Sequence, residues 1–137
     1  MTTIHGILVT PGEARDHTIE TDDTVTAIQQ TVGCDCFTVV GLEHGIDAFV
    51  DDEGLLNGSE LNLPLTVLVH RLGVRSVLVG NGFLAGMNRD GDTISLTEEQ
   101  RQRISDALTT RPDDATLAAL AESFAPIPSI AALFRLA

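Results

Sequence analysis

Short apolar runs, cut at close intervals by Pro-Gly, Asp-Gly and capping signals, limit this chain to an architecture of short strands and modest helices. No apolar stretch approaches the roughly 18–20 residues that a membrane-spanning helix needs. Ile4 to Val9 is a β-type run stopped by Pro11-Gly12-Glu13, and His17 to Glu20 offers the returning strand of a hairpin. Thr21-Asp22-Asp23 then supplies helix-cap chemistry and acids for the helix dipole. Val25, Ile28, Gln29 and Val32 follow at helical spacing, with Gly33 as the stop. Phe37 to Val40 and Ile46 to Val50 bracket Glu43-His44-Gly45. They read as a second strand pair with Phe49 and Phe37 turned inward, closed by a turn over Asp51-Asp52-Glu53-Gly54.

The second half repeats the rhythm. Asn62 before Leu63-Pro64 marks a helix start, and Leu65, Leu68, Val69 and Leu72 share one face before Gly73. Ser76 to Val79 predicts a strand that continues through the glycines to Phe83-Leu84. After an Asp90-Gly91-Asp92 turn, Thr93-Ile94-Ser95 pairs again. Thr97-Glu98-Glu99-Gln100 is a capping box that opens a helix through Leu108. Past Thr109 the composition changes: Arg111-Pro112-Asp113-Asp114 precedes an alanine-leucine helix over Ala115 to Phe124, and Pro126-Ile127-Pro128 separates it from Ser129 to Leu136.

These elements predict an α+β domain over residues 1–108, with a mixed or mainly antiparallel sheet of about five to six strands covered by two to three helices. Residues 109–137 read as a helical C-terminal appendage. Its stripes, Leu117-Leu120-Phe124 and Ile130-Leu133-Phe134, pack on the domain or hold a partner chain, a homo-oligomer included.

Twenty acidic residues oppose eight basic ones, all arginine, for a formal net charge of −12. A field of that sign repels phosphate backbones and anionic lipid, so direct nucleic-acid or membrane binding is not expected. The N-terminus MTTIHGILVT lacks the basic region and cleavage site of a signal peptide, which predicts a cytoplasmic protein. The acidity has three readings: solubility or adaptation to salt or genome composition, an electrostatic footprint for a basic protein, or weak cation binding. The clustered acids that a basic partner would read are Asp22, Asp23, Asp51, Asp52, Glu53, Asp90 and Asp92.

Motifs for chemistry are sparse. Cys34 and Cys36 are separated by one residue, too close for an easy disulfide. They either pack on one shared face or form a metal site completed by His44 folding back across the hairpin. His5, His17, His44 and His70 show no metal-ligand spacing, and there is no nucleophile elbow, phosphate loop or dinucleotide fingerprint. Gly80, Gly82 and Gly86 read instead as positions where a strand bulges or bends. With Gly91 at the sixth position of a calcium loop, Gly86 and Thr97 fall where carboxylates are required, so no EF-hand forms. No cofactor is expected.

Several segments together carry a family likeness. They are Leu8-Val9 before Pro11-Gly12-Glu13, Ile19-Glu20 leading to the Thr24 to Gly33 helix, Asp52-Glu53-Gly54-Leu55-Leu56-Asn57-Gly58, Asn62, the Gly80 to Gly86 segment, and Asp90-Gly91-Asp92 followed by Ser95 to Gln100. Over about residues 4 to 104 the chain resembles the domain-of-unknown-function 3846 family of bacteriophages, plasmids and actinobacterial or archaeal mobile regions. The resemblance implies a mobile-element setting but neither a reaction nor catalytic residues. The leading expectation is therefore a non-enzymatic protein that binds another protein through its acidic surface. The alternatives are a DNA-mimicking anti-defence inhibitor and a small metal-dependent enzyme built on Cys34, Cys36 and His44.

Overall fold

The computed structural model describes residues 2–52, 61–74 and 78–109. Their order is β1 (Thr2–Val9), β2 (Ala14–Thr21), α1 (Thr24–Val32), β3 (Phe37–Gly41), a single 3-10 turn (Glu43–Gly45), β4 (Ile46–Asp51), α2 (Leu63–Arg71), β5 (Gly82–Met87), β6 (Thr93–Ile94) and α3 (Glu98–Thr109). The strands form one sheet in the order β2-β1-β5-β4-β3, with β6 also pairing β5. Every pairing is antiparallel. The fold is α+β, as the sequence predicts. The proposed C-terminal appendage lies outside the described residues.

Residues paired across antiparallel strands share a face, so the register sorts the core into two layers. Ile7, Val9, Ile46, Ala48, Val50 and Leu84 face α2 and α3, packing with Leu65, Leu68, Leu72 and Ile104. Ile4, Ile19, Phe49, Phe83 and Ala85 face α1 and its Ile28 and Val32. Covering both faces explains why β4 and β5 are nearly unbroken apolar runs where a one-sided sheet would alternate.

The helices begin and end where the caps predict. The Asp23 side chain accepts from the Thr26 N–H, and Gly33 closes α1 at φ 82°. Thr97 and Gln100 exchange the two hydrogen bonds of the capping box, at 3.1 and 2.9 Å. Asn62 caps α2 through the Leu65 N–H.

Four expectations need correction. Val25 is 56% exposed, so α1 buries only Ile28 and Val32 of its predicted stripe. The fifth strand starts at Gly82. Val79 makes only an isolated bridge to Leu61, and Ser76 and Val77 lie outside the described residues. Ser95 lies beyond β6; its hydroxyl instead accepts from the His5 N–H.

Gly80 bends the chain ahead of β5, at φ 72°, but Gly82 and Gly86 make no bulge. The β4–β5 register runs unbroken from Ile46↔Gly86 to Val50↔Gly82. What they provide is close approach. A Cβ on Gly82 would stand 2.3 Å from Leu65 Cδ2 of α2, and one on Gly86 would stand 3.2 Å from the Gln100 side chain of α3. Missing side chains at these points let both helices sit down on the sheet.

Candidate functional site

The register divides the predicted acidic contacts between the two ends of the sheet. β1 and β4 run toward one end, where Val9, Asp51, the start of β3 and the start of β5 meet; β2, β3 and β5 run toward the other. Asp22 and Asp23 follow β2, and Asp90 and Asp92 follow β5, so these four lie at the second end. Asp51 and Asp52 close β4 at the first end, and Glu53 lies outside the described residues.

Their local roles differ. Asp23 caps α1: its Oδ1 accepts from the Thr26 N–H at 3.2 Å and its Oδ2 from the Thr26 hydroxyl at 2.7 Å. Those bonds to Thr26 hold its carboxyl below the ordinary aspartate value. Asp90 and Asp92 are exposed and ride on a turn built by Asn88, whose Oδ1 accepts from both of their backbone N–H groups, at 3.0 and 2.9 Å. Gly91, at φ 84°, gives that turn its left-handed residue. Asp22 and Asp52 are exposed, and Asp51 is half-buried.

The thiols and the imidazole do not converge. Cys34 and Cys36 sit between α1 and β3, at the Asp51 end of the sheet, where the Asp52 N–H donates to the Cys36 carbonyl at 3.1 Å. His44 lies past the far end of β3, in the 3-10 turn, at φ 67°. A five-residue strand rising about 3.3 Å per residue stands between them, so the predicted fold-back of His44 does not occur. Nor do the cysteines share a face: Cys34 packs half-buried against the α1-side core, while Cys36 is exposed. Burial raises the Cys34 thiol above its ordinary value, and Asp51, Cys36 and Asp35 add to the effect, so the nucleophilic thiolate is disfavoured. Among the described residues, no group of three or more His, Cys, Asp and Glu side chains is placed to hold a metal ion.

A cleft of about 480 Å³ lies elsewhere, between α3 and the β1–β2 hairpin. Ile7, Ile104 and Leu108 form its apolar part and Arg15, Asp16 and Arg101 its polar part. Arg101 is engaged in an ion pair with Asp16 across it. None of the predicted acidic contacts lines this cleft.

Two features escaped the sequence. Asp47, inside the apolar run of β4, is only 7% exposed. Its cross-strand neighbours are Gly41 and Ala85, neither of which has a polar side chain to offer it. Burial raises its carboxyl above the ordinary value. The second is the edge of β3, which no strand pairs among the described residues. A charged residue within an apolar run signals the first. The second depends on strand order, which no local pattern carries.

A family model described as "Domain of unknown function (DUF3846)" matches residues 4–109. No curated protein and no solved structure matches the chain. Among the described residues no helix is long and apolar enough to cross a membrane.

Proposed function

The chain belongs to the DUF3846 family, whose match spans most of its length, and from that premise we propose that it is a non-catalytic interaction protein of a phage or other mobile element. It acts by binding a basic region of another protein through its acidic surface. The observation that carries this reading is the separation of its chemistry-bearing groups. The candidate contact carboxylates Asp22, Asp23, Asp51, Asp52, Asp90 and Asp92 stand at the two ends of the sheet, while the half-buried thiol and the one nearby candidate imidazole lie a strand's length apart. Catalysis by a small hydrolase needs a nucleophile or metal with a base in one sheltered site. Recognition of a basic surface needs only exposed charge of the opposite sign, which −12 supplies.

The test is a quantitative pull-down from host lysate with the full chain as bait, alongside the variant Asp22→Asn, Asp52→Asn, Asp90→Asn, Asp92→Asn. Asn keeps turn and cap chemistry while removing charge. The expected result is a specific partner whose recovery falls about tenfold in the variant, and likewise when salt is raised so that the Debye length shrinks from roughly 10 Å to a few ångströms. A partner retained equally by both proteins at high salt would remove the basis of the proposal.

A further inference from the structure

Among the described residues the outer edge of β3 is an open hydrogen-bonding strand, and the backbone pairing identifies which groups it offers. The Leu42 N–H donates to the Ile46 carbonyl and the Asp52 N–H to the Cys36 carbonyl, so the 42–46 and 36–52 pairs are the hydrogen-bonded kind. Such pairs alternate along an antiparallel ladder. Thr38 and Val40 therefore also bond to β4, and Phe37, Val39 and Gly41 turn their N–H and C=O groups to the open side. Among the described residues nothing pairs with them there.

The two edges of the sheet differ. β2, at the other edge, carries Arg15, Asp16, His17 and Glu20, the kind of charge that discourages strand addition. β3 reads Phe-Thr-Val-Val-Gly, with no charge and no proline, and its Val39 is 48% exposed. Charge is placed at the ends of this edge instead. Asp35 and Asp52 stand at one end and Glu43 at the other, all exposed.

We propose that the β3 edge accepts an extended segment of a partner protein by strand addition, and that the segment has an uncharged, β-branched centre flanked at both ends by Lys or Arg. Main-chain bonds from Phe37, Val39 and Gly41 supply affinity, and the acids at the two ends select the cationic flanks. A second copy of this chain is the wrong occupant. Antiparallel pairing of two β3 strands about Val39 sets Asp35 opposite Glu43 at both ends, and like charges directly opposite each other are destabilising. The proposal rests on the reading that the partner is basic, and it adds the place and the geometry.

Three end-capped nonapeptides test it against the full chain: RTVTVTVTR, ETVTVTVTE, and RTPTPTPTR, which keeps the charge of the first but lacks the N–H groups at the three positions that face Gly41, Val39 and Phe37. RTVTVTVTR is expected to bind at least tenfold more tightly than either of the others, and to slow hydrogen exchange at the Phe37, Val39 and Gly41 amides at least tenfold. Val39→Pro removes an N–H that makes no bond to β4, a position where an edge strand tolerates proline. It is expected to retain the Thr38 and Val40 ladder amides and to lose RTVTVTVTR binding at least tenfold.

Equal binding of all three peptides, no binding of any, or RTVTVTVTR binding without protection of those three amides overturns the proposal. So does a homodimer in sedimentation that Val39→Pro dissolves. The broader acidic-surface reading fails separately, when the four-Asn variant keeps its host partner. If that variant loses the partner while Val39→Pro keeps it, the edge proposal falls and the acidic-surface reading stands.

Discussion

Asp47 is the residue least consistent with its surroundings. It is the second residue of β4, buried between β3 and β5 without a hydrogen-bond or ion partner among the described residues, and burial disfavours its charged form. Its carboxyl titrates higher in the folded chain than in the unfolded one. Its contribution to stability is therefore fully present below the unfolded carboxylate range, and is lost as pH rises through its folded value. Asp47→Asn removes the charge at nearly constant volume. The expected outcome is a variant about 1 kcal/mol more stable at pH 7, with the difference shrinking toward zero near the ordinary aspartate pKa of about 4. Denaturant midpoints across that pH interval check it, and an Asn variant less stable at pH 7 would contradict it. The effect runs opposite to Asp23, whose carboxyl is lowered by Thr26 and whose stabilisation fades as pH falls.

Asn62 ties three elements together. Fully buried, it donates through Nδ2 to the Val9 carbonyl at 3.0 Å and to the Gly80 carbonyl at 2.8 Å, and its Oδ1 accepts from the Leu65 N–H at 3.1 Å. Its backbone carbonyl accepts from the Thr66 hydroxyl, which in turn accepts from the Leu78 N–H. Asn62→Ala leaves the carbonyl at the end of β1, the Gly80 carbonyl and one helix-start N–H unpaired in the interior. A loss of roughly 3 kcal/mol is expected from urea unfolding, well above the ~1 kcal/mol of an exposed cap. Asn62→Ser, which restores only the cap, should recover a minor part of it. Capping chemistry was legible here, as it was at Asp23, Gly33 and Thr97, because a cap is decided by residues three or four apart. The second use of Asn62 was not, since Val9 is 53 residues away. The same limit explains Gly82, which reads locally as a bend and is instead the seat of Leu65, and Val25, whose helical spacing cannot tell where the helix meets the sheet.

At the scale of the whole molecule the question is whether the charge serves a partner or only the chain's own solubility, and the two make different predictions. A formal charge of −12 repels itself within a compact body, so screening should stabilise the fold. Raising salt from about 0.05 to about 0.5 M is expected to raise the melting temperature by a few degrees, because exposed charges more than about a Debye length apart are then screened. The four-Asn variant, with a formal charge of −8 in place of −12, should start higher at low salt and gain less. Both outcomes follow from repulsion alone and hold under either use of the acidity. What separates the uses is the partner. Charge kept only for solubility leaves binding indifferent to those four substitutions, whereas charge kept for recognition makes stability and affinity respond in opposite directions. Melting temperature and partner recovery, measured on the same two proteins over the same salt series, should therefore trend oppositely. Recovery that stays flat across the salt series and between the two proteins would assign the acids to solubility and leave recognition to other surfaces.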